Sequence, residues 1–288
     1  MPDFRVIEAA GRCRLGEGPL WSPRENSLYW VDILGQAVHR LNLHDESVTS
    51  WPMPEKIGWI IERAHGTGFV AGFQSGYALL TLDPHSIRFI ARPEPHLPNN
   101  RMNDAKADAL GRIWAGTMDV DADKPSGALY RLDPDHTVTR VDSGYFIANG
   151  PAFSPNQQFM YHTDSKRGLA YRFEITDDGQ LINRTIFLRF DAAEGAGVPD
   201  GMTVDRQGGL WIAQWGASRV SRFTADGTLD RFIELPASQI TSCAFAGHDL
   251  DRLFVTSASD GLKNEPFGGA LFEVNPGICG LAPGRFAG

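Results

Sequence analysis

The hydrophobic residues of this chain fall into short runs of period two, cut by turns rich in Gly, Pro, Asn and Asp. That pattern belongs to half-buried β-strands joined by tight turns. The stretch VPDGMTVDRQGGLWIAQWG, from Val198 to Gly216, shows the unit most clearly. A Pro-Asp-Gly turn leads into Met202-Thr203-Val204-Asp205, the turn Arg206-Gln207-Gly208-Gly209 reverses the chain, and Leu210-Trp211-Ile212-Ala213 runs back. Turn chemistry and period together predict a β-hairpin. The same grammar leads from Glu17 to Leu28-Tyr29-Trp30-Val31, from Asn103 to Ile113-Trp114-Ala115-Gly116, and from Asn149 to Phe159-Met160-Tyr161-His162. Weaker copies surround Phe69-Val70 and Phe254-Val255.

The second-strand markers Tyr29, Val70, Trp114, Tyr161, Trp211 and Phe254 are spaced by 41, 44, 47, 50 and 43 residues. A four-stranded propeller blade takes about 40–50 residues. Third strands such as Ala128-Leu129-Tyr130-Arg131-Leu132 follow the hairpins, and polar turns such as 177–179 close the units. Six copies predict an all-β fold, a six-bladed propeller of four-stranded antiparallel blades around a central channel, as one domain over residues 1–288. A strand over residues 4–10 is expected to pair with the last blade, closing the ring and hiding an edge.

The repeat also aligns polar residues. Eleven or twelve positions before the markers stand Glu17, Gly58, Asn103, Asn149, Asp200 and Cys243, each where the chain starts the innermost strand of its blade. Radial repetition brings such positions to one end of the channel, and four of the six offer oxygen atoms. Glu17, Asn149 and Asp200, which follows the glycine-rich stretch 194–197, give two carboxylates and an amide from three blades. Clustered carboxylates repel unless protonated or bridged by a cation, and all-oxygen ligation suits Ca²⁺, Mg²⁺ or Mn²⁺. The polar stretch Asn99-Asn100-Arg101-Met102-Asn103-Asp104 is either a loop capping its own backbone or a substrate cradle built on Arg101 and Asn103. The insertion 121–126 is a surface loop that could act as a lid.

Composition narrows the function. A net charge of −8 without a basic cluster argues against nucleic acid and anionic membranes. Cys13, Cys243 and Cys279 lack CxxC spacing and are expected to be reduced thiols, neither a disulfide frame nor a zinc site. Without an apolar signal core or membrane-length run, the expectation is a soluble cytoplasmic protein, monomeric by default. His162 and Asp164 share a strand face, but no GxSxG elbow accompanies Ser154, so a buried hydrogen-bonded pair is expected. Trp59, in the least regular blade, is expected to fill core.

The motifs LGEGPLW, RMNDAKADALGRIWAGTM, SGALYRLDPD, ANGPAFS, PDGMTVDRQGGLWIA and TSCAFAG, with the terminal GLAPGRFAG, closely resemble the SMP-30/gluconolactonase/luciferin-regenerating-enzyme family. The resemblance runs nearly the whole length. It implies a six-bladed propeller with a divalent metal at the channel mouth and lactonase activity on sugar acids. The family's Glu, Asn and Asp ligands match Glu17, Asn149 and Asp200, and its substrate-contacting Arg and Asn match Arg101 and Asn103. A further acidic contact falls near Asp123.

The expected chemistry is metal-assisted opening of an aldonolactone to the aldonic acid in sugar catabolism. The metal would stabilise the oxyanion, Asp200 would take a proton from the attacking water, and Arg101 and Asn103 would hold ring hydroxyls. Ca²⁺, Mn²⁺ or Mg²⁺ is favoured, with Zn²⁺ or Fe²⁺ also compatible. Gly58 and Cys243 would leave room for the substrate. Two rivals remain: an organophosphate or aryl-ester hydrolase with an apolar mouth of Trp59, Phe146 and Trp215, and a calcium-binding regulatory protein. An interaction propeller lacks support, because the aligned acids point into the channel.

Overall fold

The computed structural model describes residues 4–176, 178–190, 195 and 197–288. The expected turn at 177–179 and glycine-rich stretch at 194–197 therefore lie partly outside the described residues, at Asp177, Glu194 and Ala196. The described strands form six four-stranded antiparallel sheets. Five sheets take their strands in chain order from innermost to outermost, as in Gly16–Ser22, Ser27–Asp32, Ala37–Asn42 and Val48–Pro52. Inner strands such as Gly16–Ser22 are buried along their whole length, whereas outer strands such as Leu229–Glu234 are largely exposed. Because each sheet is covered on both faces by its neighbours, the core lies between blades. Leu20, Tyr29 and Val31 pack with Ile57, Ile60 and Phe69, and Trp211 and Ala213 pack with Phe245, Leu253 and Val255. Trp59 is 1% exposed, edge-on to Tyr77. No helix of the described residues is long and apolar enough to cross a membrane.

The sixth sheet is composite. Phe4–Val6 pairs antiparallel with Phe272–Val274 as its outermost strand. The strand expected over 4–10 is shorter, because its partner is only three residues long. The ladder ends with Ile7 donating to the Leu271 carbonyl, and Glu8–Ala10 then coils into one 3₁₀ turn.

Two aspartates fix the hairpin bends at the end of the blades away from the aligned polar residues. Asp205 accepts from the amides of Gln207 and Gly209, from Trp211 Nε1 and from Arg222 Nε. Asp108 does the same for Leu110, Arg112 and Trp114.

The inner strands hold the main departure from the sequence reading. Each carries a β-bulge at matching depth: between Glu17 and Leu20, Ile57 and Trp59, Met102 and Ala105, Asn149 and Ala152, Pro199 and Met202, and Ile240 and Ser242. The Pro-Asp-Gly step at Asp200 and the polar stretch at 100–104, read from sequence as turn and loop, are thus bulged strand. Gly, Pro, Asn and Asp serve a bulge for the same reason they serve a turn, since both need backbone that leaves the regular ladder.

His162 is fully buried, edge-on to Tyr145, and neither ring nitrogen has a partner. Asp164 accepts instead from the amides of Phe146 and Ile147 and from Arg167. The expected His–Asp pair is therefore buried but not mutually bonded. Burial is the dominant cause that drives the His162 imidazole down to about 3. The unfolded chain takes up this proton below about pH 6.5 while the native state refuses it, so stability falls as pH drops from about 6.5 toward about 3. Replacing His162 with Leu should flatten that acid limb, read as the melting temperature at about pH 7 and about pH 4.5. Parallel losses in both proteins would place the acid sensitivity elsewhere.

Candidate metal and substrate site

Strand register decides which residues share the channel mouth. The markers Tyr29, Val70, Trp114, Tyr161, Trp211 and Phe254 face Leu20, Ile61, Lys106, Ala152, Thr203 and Ala244 on the inner strands. Three residues before each inner partner stand Glu17, Gly58, Asn103, Asn149, Asp200 and Thr241. All six lie at or within the bulges. In the sixth blade the hairpin is longer, so counting back from Phe254 to Cys243 stops short of the bulge. Cys243 packs in the core with its thiol on the Trp211 carbonyl, and Thr241 takes the mouth position, donating to the Gly16 carbonyl beside Glu17.

Gly58 does not leave the open space for substrate that its sequence position suggested. A Cβ there would lie 2.6 Å from the Asn103 carbonyl oxygen and 2.8 Å from that of Met102. Its lack of a side chain is what lets blades two and three close.

The polar residues at the mouth are deeply buried, with Glu17 at 4% exposed, Asn149 at 3% and Asp200 at 6%. Glu17 accepts from the Gly18 amide through Oε2 at 3.0 Å. Asn149 donates through Nδ2 to Ser165 Oγ at 2.9 Å, and its Oδ1 accepts from Asn103 Nδ2 at 2.8 Å. Asp200 Oδ1 is buried without any partner. Burial, then the charge of Asp104, pushes the Glu17 carboxyl up to about 8. Burial, then the charges of Glu17 and Asp104, holds Asp200 well above the usual carboxylate range. Burial lowers Arg101 to about 10, with Glu17 and Asp200 opposing the shift, so its guanidinium stays charged at neutral pH.

These residues fit a divalent cation. The donor set of carboxylate, carboxylate and amide carbonyl is all oxygen, and the unpartnered Asp200 Oδ1 is an acceptor that protein groups leave unused. A bound cation would remove the like-charge strain on the two acids.

The remaining candidates divide sharply. Arg101 donates through Nη1 to Asn103 Oδ1 at 2.6 Å and to the Met102 carbonyl. Its Nε and Nη2 have no partner among the described residues, and it lines a cavity of about 320 Å³ with Asn100, Thr117, Gln74, Glu55 and Arg92. Asn103 uses both ends of its amide, toward Arg101 on one side and toward Asn149 and the Ala148 carbonyl on the other. It holds Asn149 in place. Asn100 is bonded to Glu94 and Ser126, and Asp104 accepts from the amides of Ala105 and Gly150, tying blade three to blade four. Asp123 is exposed; its amide donates to Asp119 Oδ2 at 3.3 Å, and no bond joins it to the buried group.

Lys106 escaped the sequence reading although it lies inside RMNDAKADALG. It lines a channel cavity of about 160 Å³ together with the C-terminal Leu281, Pro283 and Gly284. Its charge opposes the upward shifts of Glu17 and Asp104. Register would have revealed it, since it faces Trp114 across the hairpin.

A six-bladed propeller with buried oxygen donors from three blades at one channel mouth defines the class of protein. The SMP-30/Gluconolactonase/LRE-like family model matches residues 15–259, and the chain belongs to this family. It is 36% identical over 279 residues to a 6-deoxy-6-sulfogluconolactonase of Pseudomonas putida, covering 95% of each chain. To an L-arabinolactonase of Azospirillum brasilense it is 35% identical, covering 98% of this chain and 95% of the relative. The solved structure of a calcium-binding protein, regucalcin, from Agrobacterium tumefaciens superposes with a TM-score of 0.92 at 28% identity, covering 98% and 96%.

The Gly58 contact gives a direct test of the mouth's rigidity. A Gly58→Ala variant should lose about 1–3 kcal/mol from the overlap with the Met102 and Asn103 carbonyls, read as a lower urea midpoint. An unchanged midpoint would mean that this seam has slack.

Proposed function

We propose that the chain hydrolyses sugar lactones to the corresponding aldonic acids, using one divalent cation held by Glu17, Asn149 and Asp200. The observation that carries this reading is the buried, unpartnered Asp200 Oδ1 among oxygen donors from three blades, next to an Arg101 with part of its guanidinium unused. Relatives with lactonase names at 36% and 35% identity support the reaction class. The structure titled a calcium-binding protein supports an oxygen-preferring ion. Ca²⁺, Mn²⁺ or Mg²⁺ suits the donors best, and Zn²⁺ or Fe²⁺ remains chemically compatible.

When bound, the cation supplies Lewis-acid stabilisation of the oxyanion that develops on the lactone carbonyl. The protein does the rest. Asp200 accepts a proton from the attacking water and can return it to the ring oxygen that leaves. Arg101 directs its free donors at the hydroxyls of a lactone bound at the mouth, fixing its orientation. Asn103 and Ser165 position Asn149.

Trp59 and Phe146 give the aryl-ester and organophosphate reading little support. Trp59 is buried between blades, and Phe146 is covered by Lys166 at 5.0 Å and Arg167 at 4.9 Å.

Analysis for the oxygen-preferring ions Ca²⁺, Mn²⁺ and Mg²⁺ should find about one per chain, lost from Asp200→Ala and Glu17→Ala. Asn103→Ala should weaken the ion about 10- to 100-fold by releasing Asn149. Arg101→Ala should keep the ion and lose about 1.5–3 kcal/mol in kcat/KM on a hydroxylated lactone. Wild-type metal content in Asp200→Ala would overturn the ligand assignment.

Among substrates, pentono- and hexonolactones should turn over far faster than γ-butyrolactone, paraoxon or phenyl acetate, because a lactone without hydroxyls leaves buried donors unpaired. The check is a rate comparison at fixed metal and pH, corrected for spontaneous opening. Faster paraoxon or phenyl acetate turnover would install the rival hydrolase, and metal binding without any turnover would install the calcium-binding regulatory protein.

A further inference from the structure

A second group of metal-binding side chains lies away from the channel, at the seam where the ring closes. On the strand Ser27–Asp32, Trp30 and Asp32 are two apart and share a face. His39 pairs directly with Trp30 on the neighbouring strand, so it lies on that face and diagonal to Asp32. The two rings stack, with centroids 5.0 Å apart. Cys13 comes from the segment before the innermost strand, and its sulfur accepts from Trp30 Nε1 at 3.4 Å. The Cys13 sulfur, one Asp32 carboxylate oxygen and one ring nitrogen of His39 lie within 4.8 Å of one another.

The geometry points to a site for a borderline or soft divalent cation, of the Zn²⁺ or Co²⁺ kind, on Cys13 Sγ, an Asp32 carboxylate oxygen and His39 Nε2. Two features support it. His39 Nδ1 is bonded to Ser50 Oγ at 2.7 Å, whereas the buried Nε2 has no partner. Metal-bound imidazoles are arranged in this way, one nitrogen anchored and the other left for the ion. Asp32 is held by the amides of Arg14 at 2.8 Å, Leu15 at 3.0 Å and Gly35 at 2.8 Å, so it is oriented before any ion arrives. Thiolate and imidazole select against Ca²⁺ and Mg²⁺, so this site and the oxygen-lined mouth would sort ions by softness. Ligands of a tetrahedral zinc stand roughly 3–4 Å apart, so closure needs movements on the order of 1 Å.

Capping alone does not explain the group. Asp164 accepts two backbone amides in the corresponding part of blade four, and Phe146 and Ile147 supply them without a thiol or imidazole. Only the unpartnered His39 nitrogen beside a thiol sets Asp32 apart.

The position gives the ion a structural task. Cys13 is bonded to blade six through its amide to the Gly269 carbonyl and through its carbonyl from Ser259 Oγ, while Asp32 and His39 belong to blade one. Binding would exchange the Cys13 thiol proton for the cation and tie the N-terminal segment across the closure.

The test uses the full chain carrying Asp200→Ala, so that the mouth does not contribute. After chelation and reloading with Co²⁺, it should show a thiolate-to-cobalt charge-transfer band and hold about one ion per chain. The band should vanish in both Cys13→Ser and His39→Phe, each confirmed folded by circular dichroism. Zn²⁺, unlike Ca²⁺, should raise the melting temperature of the Asp200→Ala protein and leave that of the Cys13→Ser double variant unchanged. Absence of the band with no zinc-dependent rise in melting temperature would overturn the site, as would a band that survives Cys13→Ser.

Discussion

Six innermost strands must converge on one axis, and each does so with an extra residue at the same depth. A bulge sets two residues against one, bends the strand and re-aims a side chain. Repeated around the ring, it directs Glu17, Asn103, Asn149, Asp200 and Thr241 to a shared level, while Gly58 fills the sixth place with backbone alone. Thr241 donates to the Gly16 carbonyl, Asp104 takes the Gly150 amide, and Asn103 takes the Ala148 carbonyl. Each of these bonds crosses from one blade to the next. The cluster is therefore both the mouth of the channel and part of what locks neighbouring blades together.

That double duty explains how three acids are tolerated in a buried space. Asp104 and Asp200 stand one and two residues before the buried Ala105 and Met202, yet their environments differ. Both oxygens of Asp104 accept backbone amides, which makes it structural. Asp200 keeps one buried oxygen without a partner. An unsatisfied buried carboxylate is costly, on the order of 1–3 kcal/mol or more, and persists where the surrounding structure over-determines it. Arg101 and Lys106 offset part of the negative charge, one from beside the cluster and one from within the channel. The proposed divalent ion would complete the compensation and leave Arg101 for a substrate.

The blade count was legible because β-hairpins repeat with period-two patterning and local turn chemistry, and those signals survive in linear sequence. The strand markers Tyr29 to Phe254 all lie on second strands. Counting failed where geometry is non-local. In the sixth blade one or two additional residues in the hairpin moved the mouth position from Cys243 to Thr241, which only the pairing of Phe254 with Ala244 reveals. Asn100 and Asp104 fell within the candidate cradle stretch because polarity is visible in sequence, but hydrogen-bond partners are not. Lys106 was missed for the converse reason: a lysine in a strand pattern looks solvated unless the channel is known to lie on that face.

Cys13 shows the same limit at greater range. Metal motifs such as HExxH or CxxC are readable because both ligands sit on one element, where helix or turn geometry fixes their separation. Cys13, Asp32 and His39 come from a connecting segment and two paired strands, and what aligns them is the Trp30–His39 register together with the Arg14 and Leu15 amides on Asp32. In a sheet, ligands meet across the ladder instead of along the chain, so spacing in sequence carries no signature of the site. A propeller multiplies such meetings, since every seam brings together residues from distant blades. The absence of a local motif in an all-β chain is thus weak ground for excluding a metal, and the register of neighbouring strands is the stronger criterion.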